Sequence, residues 1–163
     1  MSSKGTPAVQ LVAKAGVAHR LLTYDYDPSA EAIGLQAAEA LGLDPAIVFK
    51  TLIVELDTGV LVCALIPAPA RLDLKALAAS ASAKKAELAD PAKAERSSGY
   101  VVGGISPLGQ RKKLKSFIDQ SATTRDEIVV NGGRRGLQIA LKPADLIKLL
   151  PATLCLLAVT SDA

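Results

Sequence analysis

Residues 97–114, SSGYVVGGISPLGQRKKL, combine glycine, proline and positive charge in a pattern that could bind an anion. Gly103 and Gly104 free the backbone from most steric limits, and Pro107 fixes φ and removes a hydrogen-bond donor. The basic run Arg111-Lys112-Lys113 follows. Exposed backbone amides and clustered cations both favour anions, so the segment predicts a backbone-lined pocket beside an anionic ligand. A tight loop with a solvated basic end is the alternative interpretation.

Lys50 stands inside an otherwise apolar segment, residues 48–55, that predicts a β-strand. With the two-residue period of a strand, Lys50 shares a face with Val48 and Leu52. Such a lysine either extends towards solvent or reaches into a pocket. In a pocket, burial would lower its pKa and an anionic ligand would again favour the charged form. Either form could contact a carbonyl or a phosphate.

Several common chemistries are excluded by residue type. His19 is the single histidine, and no GxSxG motif accompanies it, so a nucleophilic triad is not expected. Neither His nor Cys clusters in a metal-ligand spacing. Gly104 and Gly109 have the spacing of a phosphate-binding P-loop, but Gln110-Arg111 follows where Lys-Ser/Thr is required. We therefore expect no metal and no cofactor.

Composition indicates one globular domain over residues 1–163. The chain is 50% hydrophobic with a mean hydropathy of +0.30, and it contains no apolar run long enough to span a bilayer. Its N-terminus lacks the apolar core of a signal peptide. Cys63 and Cys155 lie far apart in apolar surroundings, as reduced packing residues do, so we expect a cytoplasmic protein without membrane contact.

The net charge of +3 is unevenly distributed. Residues 1–95 carry nine basic and eleven acidic side chains, whereas residues 96–163 carry ten and five. A basic second half suits a polyanionic partner, although solvated basic faces are also common. With five aromatic residues in the chain, a sheet that stacks successive bases is not expected.

Local signals predict alternating helices and strands. Helices are predicted to begin at Thr6-Pro7, Ser29, Leu72, Asp90-Pro91 and Lys142-Pro143. Strands are predicted over residues 19–26, 48–55, 60–66, 84–88, 100–102, 114–119, 127–130, 137–141 and 155–159. A glycine-rich hairpin connection with two arginines, residues 131–136, joins two of these strands. The pattern is typical of an α/β domain, α+β in character, with a mixed sheet surrounded by helices.

Three segments together resemble the YbaK/EbsC family of Cys-tRNA(Pro) deacylases, relatives of the editing domain of prolyl-tRNA synthetase. They are FKTL at residues 49–52, RSSGYVVGGISPLG at residues 96–109 and NGGRRGL at residues 131–137. Their order and spacing match over nearly the whole chain. The resemblance implies a single compact editing domain with a mixed, partly barrel-like sheet, and an enzyme that removes a mischarged amino acid from tRNA.

The resemblance also implies roles for individual residues. Lys50 would be the key functional residue, holding the ribose or phosphate of the terminal adenosine and polarising the ester carbonyl. Asn131 replaces a serine of some relatives and Gln138 an aspartate, which puts a role for a carboxylate at residue 138 in doubt. The other residues implied to bind substrate are Tyr24, Thr51, Gly103, Gly104, Ser106 and Pro107. The residues implied to contact the tRNA backbone are Arg111, Lys112, Lys113, Arg134 and Arg135.

The expected reaction is removal of cysteine from Cys-tRNA(Pro), and of Cys-tRNA(Cys) as a second substrate, by attack of the substrate's own thiol on the ester. Two alternatives remain open from the sequence. One is a deacylase for another small amino acid, such as alanine on tRNA(Pro). The other is a non-catalytic module that binds tRNA or prolyl-tRNA synthetase. A semi-buried lysine in a core strand favours the enzyme.

Overall fold

The computed structural model describes residues 5–29 and 33–159, which fold into five α-helices, two short 3-10 helices and ten strands. The α-helices are α1 (Pro7–Ala15), α2 (Ile33–Leu41), α3 (Leu74–Ser80), α4 (Pro91–Ser98) and α5 (Pro143–Leu149). The strands are β1 (His19–Thr23), β2 (Phe49–Leu56), β3 (Leu61–Pro67), β4 (Arg71–Leu72), β5 (Ala86–Leu88), β6 (Lys115–Asp119), β7 (Ile128–Asn131), β8 (Leu137–Leu141), β9 (Ala152–Cys155) and β10 (Ala158–Val159). The 3-10 helices are Pro45–Ile47 and Gln120–Thr124.

The ends of α1 and α4 follow the local signals in the sequence, whereas the predicted start of α3 at Leu72 is wrong, because Leu72 lies in β4 and Asp73 caps a helix that begins at Leu74. Thr6 Oγ1 accepts the Val9 N–H at 3.2 Å at the start of α1, and Gly16, with φ of 72°, ends that helix. Asp90 accepts the Ala92 N–H at 3.1 Å at the start of α4, and Gly99 ends it in the same left-handed conformation. The predicted cap of α2 at Ser29 is separated from Ile33 by residues outside the described part, so it stays a prediction.

A five-stranded mixed sheet forms the centre of the domain, in the order β5-β2-β3-β6-β9. β2 pairs antiparallel with β3 and β5, whereas β3-β6 and β6-β9 are parallel. Lys50 stands opposite Ile66 in this register. Helices and loops cover both faces, which explains why β3 is an unbroken apolar run. Fully burying one large side chain, such as Phe49 or Phe117, stabilises the fold by about 1.5–3 kcal/mol.

A second, antiparallel sheet has the order β1-β8-β7 and contains the predicted hairpin. A parallel bridge between Val48 and Val129 connects it to the start of β2. The predicted mixed α/β fold is confirmed. The described strands form open sheets and not a closed barrel. The predicted partly barrel-like arrangement is seen only where the Val48–Val129 bridge joins the two sheets. β4 and β10 form a separate pair.

The strand predicted at residues 100–102 is wrong. After the turn at Gly99, the Val102 N–H donates to Glu95 Oε2 at 2.8 Å, and the Gly104 N–H donates to the Val101 carbonyl at 2.8 Å. Because side-chain and local-turn partners satisfy the backbone here, the segment needs no neighbouring strand. Val101 and Val102 are 49% and 42% exposed, so the apolar run is a loop wall and not a core strand.

The other strand predictions are confirmed with shifted ends, except the one at residues 155–159, which contains β10 but only the last residue of β9. β4 and most of β9 were not predicted. No helix in the described part of the chain is long and apolar enough to cross a bilayer.

Candidate active site

A cavity of about 360 Å³ opens where one edge of β2 is uncovered. β7 meets this edge at the Val48–Val129 bridge, and β5 pairs with it only from Val54 to Leu56. Between these contacts the edge faces the cavity. The lining residues are 48–53 of β2 together with Ala68, Leu88, Val102, Gly103, Ile105, Asn131 and Gln138.

The pairing pattern of β2 leaves backbone groups of Thr51 at this open edge. The Leu56 N–H donates to the Val60 carbonyl on the β3 side, and the Ala89 N–H donates to the Ile53 carbonyl on the other side, both at 2.9 Å. Because hydrogen-bonding groups alternate along an antiparallel strand, the odd-numbered residues of β2 direct theirs away from β3. No described strand pairs with Thr51 on that edge. Its N–H and carbonyl can therefore bind a ligand.

Lys50 is the charged residue of the cavity wall, and its side chain is partly buried. Burial lowers the pKa of its ammonium group. Among residues 5–29 and 33–159, no carboxylate lies within ion-pair distance of Lys50 Nζ. A cation in this position is stabilised when an anion or a carbonyl oxygen enters the cavity.

Three neutral polar side chains share the cavity with Lys50. Thr51 Oγ1 is buried and has no hydrogen-bond partner in the described structure. Gln138 is 4% exposed, and its side-chain amide makes no hydrogen bond within the described residues, so it is available to a ligand. Asn131 Nδ2 donates to the Gly103 carbonyl at 3.1 Å, while its Oδ1 accepts the Gly133 N–H at 2.7 Å. Asn131 therefore fixes the wall, and Thr51 and Gln138 leave polar groups unused.

The loop that follows α4 forms the opposite wall and is held by the β7–β8 hairpin. Arg135 Nε donates to the Val102 carbonyl at 3.0 Å. Gly103 has φ of 92°, a conformation that glycine adopts without strain. A Cβ at Gly104 would lie 2.8 Å from backbone atoms of Arg134 and Arg135, so the close approach of loop and hairpin requires glycine.

The structure brings some of the predicted substrate-binding residues together and separates others. Lys50, Thr51, Gly103, Asn131 and Gln138 line the cavity, whereas Tyr24, Gly104, Ser106 and Pro107 do not. The Tyr24 hydroxyl is buried without a hydrogen-bond partner, and burial raises its pKa. Ser106 Oγ accepts the Leu108 N–H at 3.1 Å inside the loop, and Pro107 lines a different depression.

The predicted basic residues divide into two groups. Arg134 and Arg135 lie on the hairpin beside the cavity loop, where Arg135 packs over the ring of Tyr26 at 5.4 Å. Lys112 and Lys113 line a separate concavity. Arg111 lies outside both, and its side chain packs beside Gly99.

Sequence reasoning missed Tyr26, Leu88 and Ile105. Tyr26 lies near Gly103, since a Cβ on that glycine would be 3.0 Å from the Tyr26 hydroxyl. Leu88 and Ile105 form apolar parts of the wall. Leu88 is 56% exposed, but this is known only from the structure, and single exposed apolar residues are common, so the sequence offered no signal for it. Leu88 and Ile105 meet β2 only through long-range packing, which the sequence does not show.

The chain belongs to the aminoacyl-tRNA editing domain family, which matches residues 27–149. The family acts on aminoacyl-tRNA and comprises trans-editing deacylases. EbsC of Enterococcus faecalis, which carries the provisional name Cys-tRNA(Pro)/Cys-tRNA(Cys) deacylase, is 37% identical over 112 residues, covering 69% of this chain and 68% of EbsC. The multifunctional Ser/Thr-tRNA deacylase ProXp-y of Escherichia coli is 31% identical over 143 residues, covering 86% of this chain and 84% of ProXp-y.

A solved structure gives the same fold. The crystal structure of a provisional trans-editing enzyme for prolyl-tRNA synthetase superposes with a TM-score of 0.80 at 20% identity, covering 95% of this chain and 99% of the other. At that identity the likeness extends to the fold alone. The predicted family and the predicted single-domain editing fold are confirmed.

Proposed function

We propose that this protein is a trans-editing deacylase that removes cysteine from Cys-tRNA(Pro), with Cys-tRNA(Cys) as a second substrate. The observation that carries the proposal is Lys50, a partly buried cation without a carboxylate partner in a cavity at the uncovered edge of β2. The 37% identity to EbsC supports cysteine as the amino acid.

In the proposed reaction, the nucleophile is the thiol of the bound cysteine. Its sulfur loses a proton and forms a bond to the ester carbonyl carbon, the bond from that carbon to the ribose oxygen breaks, and the ribose oxygen takes up a proton, so that no net proton is gained or lost. Cysteine leaves as a cyclic thioester that water then opens. The protein supplies position, and holding reacting groups at the right distance can lower a barrier by about 7–11 kcal/mol in favourable cases.

The cavity offers groups that fit this task without a protein nucleophile. Of its described lining residues, Thr51 alone carries a hydroxyl, and no base is bonded to that oxygen. The Cys63 thiol is buried elsewhere in the core, and burial raises its pKa to about 12. In the proposal, Lys50 and the Thr51 N–H bind the ester oxygen as it gains negative charge, where preorganised donors are most effective.

A hydroxyl amino acid is a second candidate substrate. ProXp-y is similar over a larger share of the chain, and it is a Ser/Thr-tRNA deacylase. The unused Thr51 Oγ1 and the Gln138 amide could hydrogen-bond a serine or threonine side chain better than a thiol. With Ser or Thr, the attacking nucleophile would be water or the side-chain hydroxyl.

Deacylation of a substrate panel tests both candidates. Cys-, Ser-, Thr- and Ala-tRNA(Pro), Pro-tRNA(Pro) and Cys-tRNA(Cys) are incubated with wild type and Lys50→Ala, with and without prolyl-tRNA synthetase. We expect rapid loss of the cysteinyl esters and a decrease of 100-fold or more in the variant, about 3 kcal/mol of transition-state stabilisation. Capture of a cyclic thioester product distinguishes thiol attack from hydrolysis.

The other outcomes have definite meanings. Faster turnover of Ser- or Thr-tRNA(Pro) selects the second candidate, and preference for Ala-tRNA(Pro) moves the substrate to another small residue. If no ester is turned over while tRNA still binds, the protein is a binding module and the enzyme proposal is wrong. A rate increase on adding the synthetase would support docking on that enzyme.

A further inference from the structure

A second concavity, of about 590 Å³, lies where α4, the β2–β3 turn and residues 112–115 meet. Five basic side chains line it: Lys93, Arg96, Lys112, Lys113 and Lys115. We call these residues the basic concavity. Helix α4 borders both sites, because Glu95 accepts the Val102 N–H in the wall of the Lys50 cavity, while the next residue lines the basic concavity.

The charges of the basic concavity are mostly uncompensated. Lys93 Nζ bonds Glu55 at 2.9 and 3.0 Å. The other four cations have no carboxylate partner within residues 5–29 and 33–159. Lys115 lies 5.6 Å from the ring centre of Phe117. The nearby Asp57 is already engaged, since its Oδ1 accepts the N–H groups of Lys84 and Lys85. Cations gathered this way repel one another unless an anion binds between them.

Ser97 supplies a neutral donor at the same place. It lines the basic concavity, it is 4% exposed, and its Oγ has no hydrogen-bond partner in the described structure. An unpaired buried hydroxyl destabilises the fold, and a hydrogen bond to a ligand oxygen would remove that cost. Hydroxyl and cations together are a typical donor set for phosphate oxygens.

The donors are held in place before any ligand arrives. Lys93, Arg96 and Ser97 share one face of α4, at positions i, i+3 and i+4. The Lys112 N–H donates to the Ser97 carbonyl at 3.0 Å, which fixes the basic segment against the end of the helix. Such preorganisation reduces the entropy lost on binding.

We propose that the basic concavity binds backbone phosphates of the tRNA acceptor strand, upstream of the aminoacylated nucleotide that enters the Lys50 cavity. The statement that these phosphates lie upstream of the bound nucleotide rests on the proposed function, which places the aminoacylated end in the Lys50 cavity. Four uncompensated cations exceed what one phosphate group needs, which favours a polyanion. Helix α4 is about 10 Å across with its side chains, so it spaces the two sites by a few nucleotides.

The test compares Arg96→Gln/Lys112→Gln/Lys113→Gln with the control Lys14→Gln/Lys75→Gln/Lys148→Gln, which removes the same charge from residues outside both cavities. Binding of uncharged tRNA is measured against salt concentration. A plot of the logarithm of affinity against the logarithm of salt concentration has a negative slope. We expect this slope to become shallower by about 2 in the first variant, since each phosphate contact contributes about 0.7–0.9 to its magnitude. The control should lose less than one third of that.

Deacylation of two substrates then shows whether the loss of activity comes from contacts with upstream phosphates. The first variant should lose at least ten-fold more kcat/KM on full-length aminoacyl-tRNA than on an aminoacyl-adenosine ester, which has no upstream phosphate. Ser97→Ala should show the same preference with a smaller loss of two- to five-fold, and thermal unfolding checks that each variant is folded. Equal losses on both substrates, or equal slopes in variant and control, would overturn the proposal.

The outcomes separate this inference from the proposed function. If wild type turns over no ester, the proposed function fails, while the salt slope of uncharged tRNA binding still tests the basic concavity. If turnover is rapid but the slope is unchanged, the enzyme stands and the concavity does not bind RNA.

Discussion

Lys50 and Asp119 are two charged residues of the same central sheet, and their surroundings are opposite. Asp119, at the end of β6, is 5% exposed and accepts N–H groups from Ser121 at 3.1 Å, Leu157 at 2.9 Å and Ala158 at 2.8 Å. Burial acts to raise its pKa, but these hydrogen bonds lower it overall. Lys50 has no such partners, and burial lowers its pKa. A satisfied buried charge holds chain segments together, whereas an unsatisfied one is available to a ligand.

Replacing Lys50 by methionine should have the largest effect on activity, and it should change activity and stability in opposite directions. We expect deacylation to fall by 100- to 1,000-fold, about 3–4 kcal/mol, because the cavity loses its cation. The free energy of unfolding should rise by about 1 kcal/mol, since an uncompensated charge leaves the fold and its partial exposure keeps the gain small. Single-turnover deacylation and urea unfolding measure the two effects. Loss of both activity and stability would show that Lys50 supports the fold.

Asp119→Ala should have the reverse profile. Three buried N–H groups lose their acceptor, so we expect about 3 kcal/mol lower stability. The rate constant of the folded enzyme at low temperature should change less than three-fold, because Asp119 does not line the cavity. Asp119→Asn, which keeps one acceptor oxygen, should lie between wild type and alanine in urea unfolding. If Asp119→Ala unfolded at the same urea concentration as wild type, Asp119 would not stabilise the fold, and the proposed difference between Asp119 and Lys50 would be wrong.

Much of the fold was predictable because its signals are local. Thr6 and Gly16 mark the ends of α1, Asp90 marks the start of α4, and each acts within one helical turn. The wrong strand at residues 100–102 had the apolar composition of a strand, but Glu95 and a local turn satisfy its backbone. Composition cannot predict which partner a backbone group will take.

The candidate site was less predictable because it depends on distant contacts. Lys50 stood out as a cation in an apolar strand, and it does line the cavity. The separation of Lys112 from Arg135, which carry the same charge and were predicted to share one role, follows from how α4 and the hairpin pack. The Thr51 backbone is open to the cavity because β5 is too short to cover β2, a feature of topology and not of the residue.

Gly104→Ala tests whether the cavity wall depends on the hairpin. The new Cβ would approach backbone atoms of Arg134 and Arg135 to 2.8 Å, and neither can move aside as a flexible side chain would. We expect a loss of about 2 kcal/mol in stability and of about ten-fold in kcat/KM, as the loop that carries Gly103 shifts. Thermal unfolding and steady-state kinetics measure these effects. Unchanged kinetics with lowered stability would separate the loop's position from catalysis.

The smallest expected effect is on the pH dependence of stability, which should differ between Lys50 and Asp119. The pKa of Lys50 is lowered on folding, so the unfolded chain holds the proton more tightly, and wild-type stability should rise as pH approaches the ordinary value of 10.5. Lys50→Met lacks this group, so its advantage over wild type, about 1 kcal/mol at neutral pH, should shrink as pH increases. The pKa of Asp119 is also lowered, but for an acid this gives stability that is lost as pH falls below 3.8. Urea unfolding of wild type, Lys50→Met and Asp119→Ala across pH measures both limbs, and a constant difference between wild type and Lys50→Met would mean that Lys50 is fully solvated.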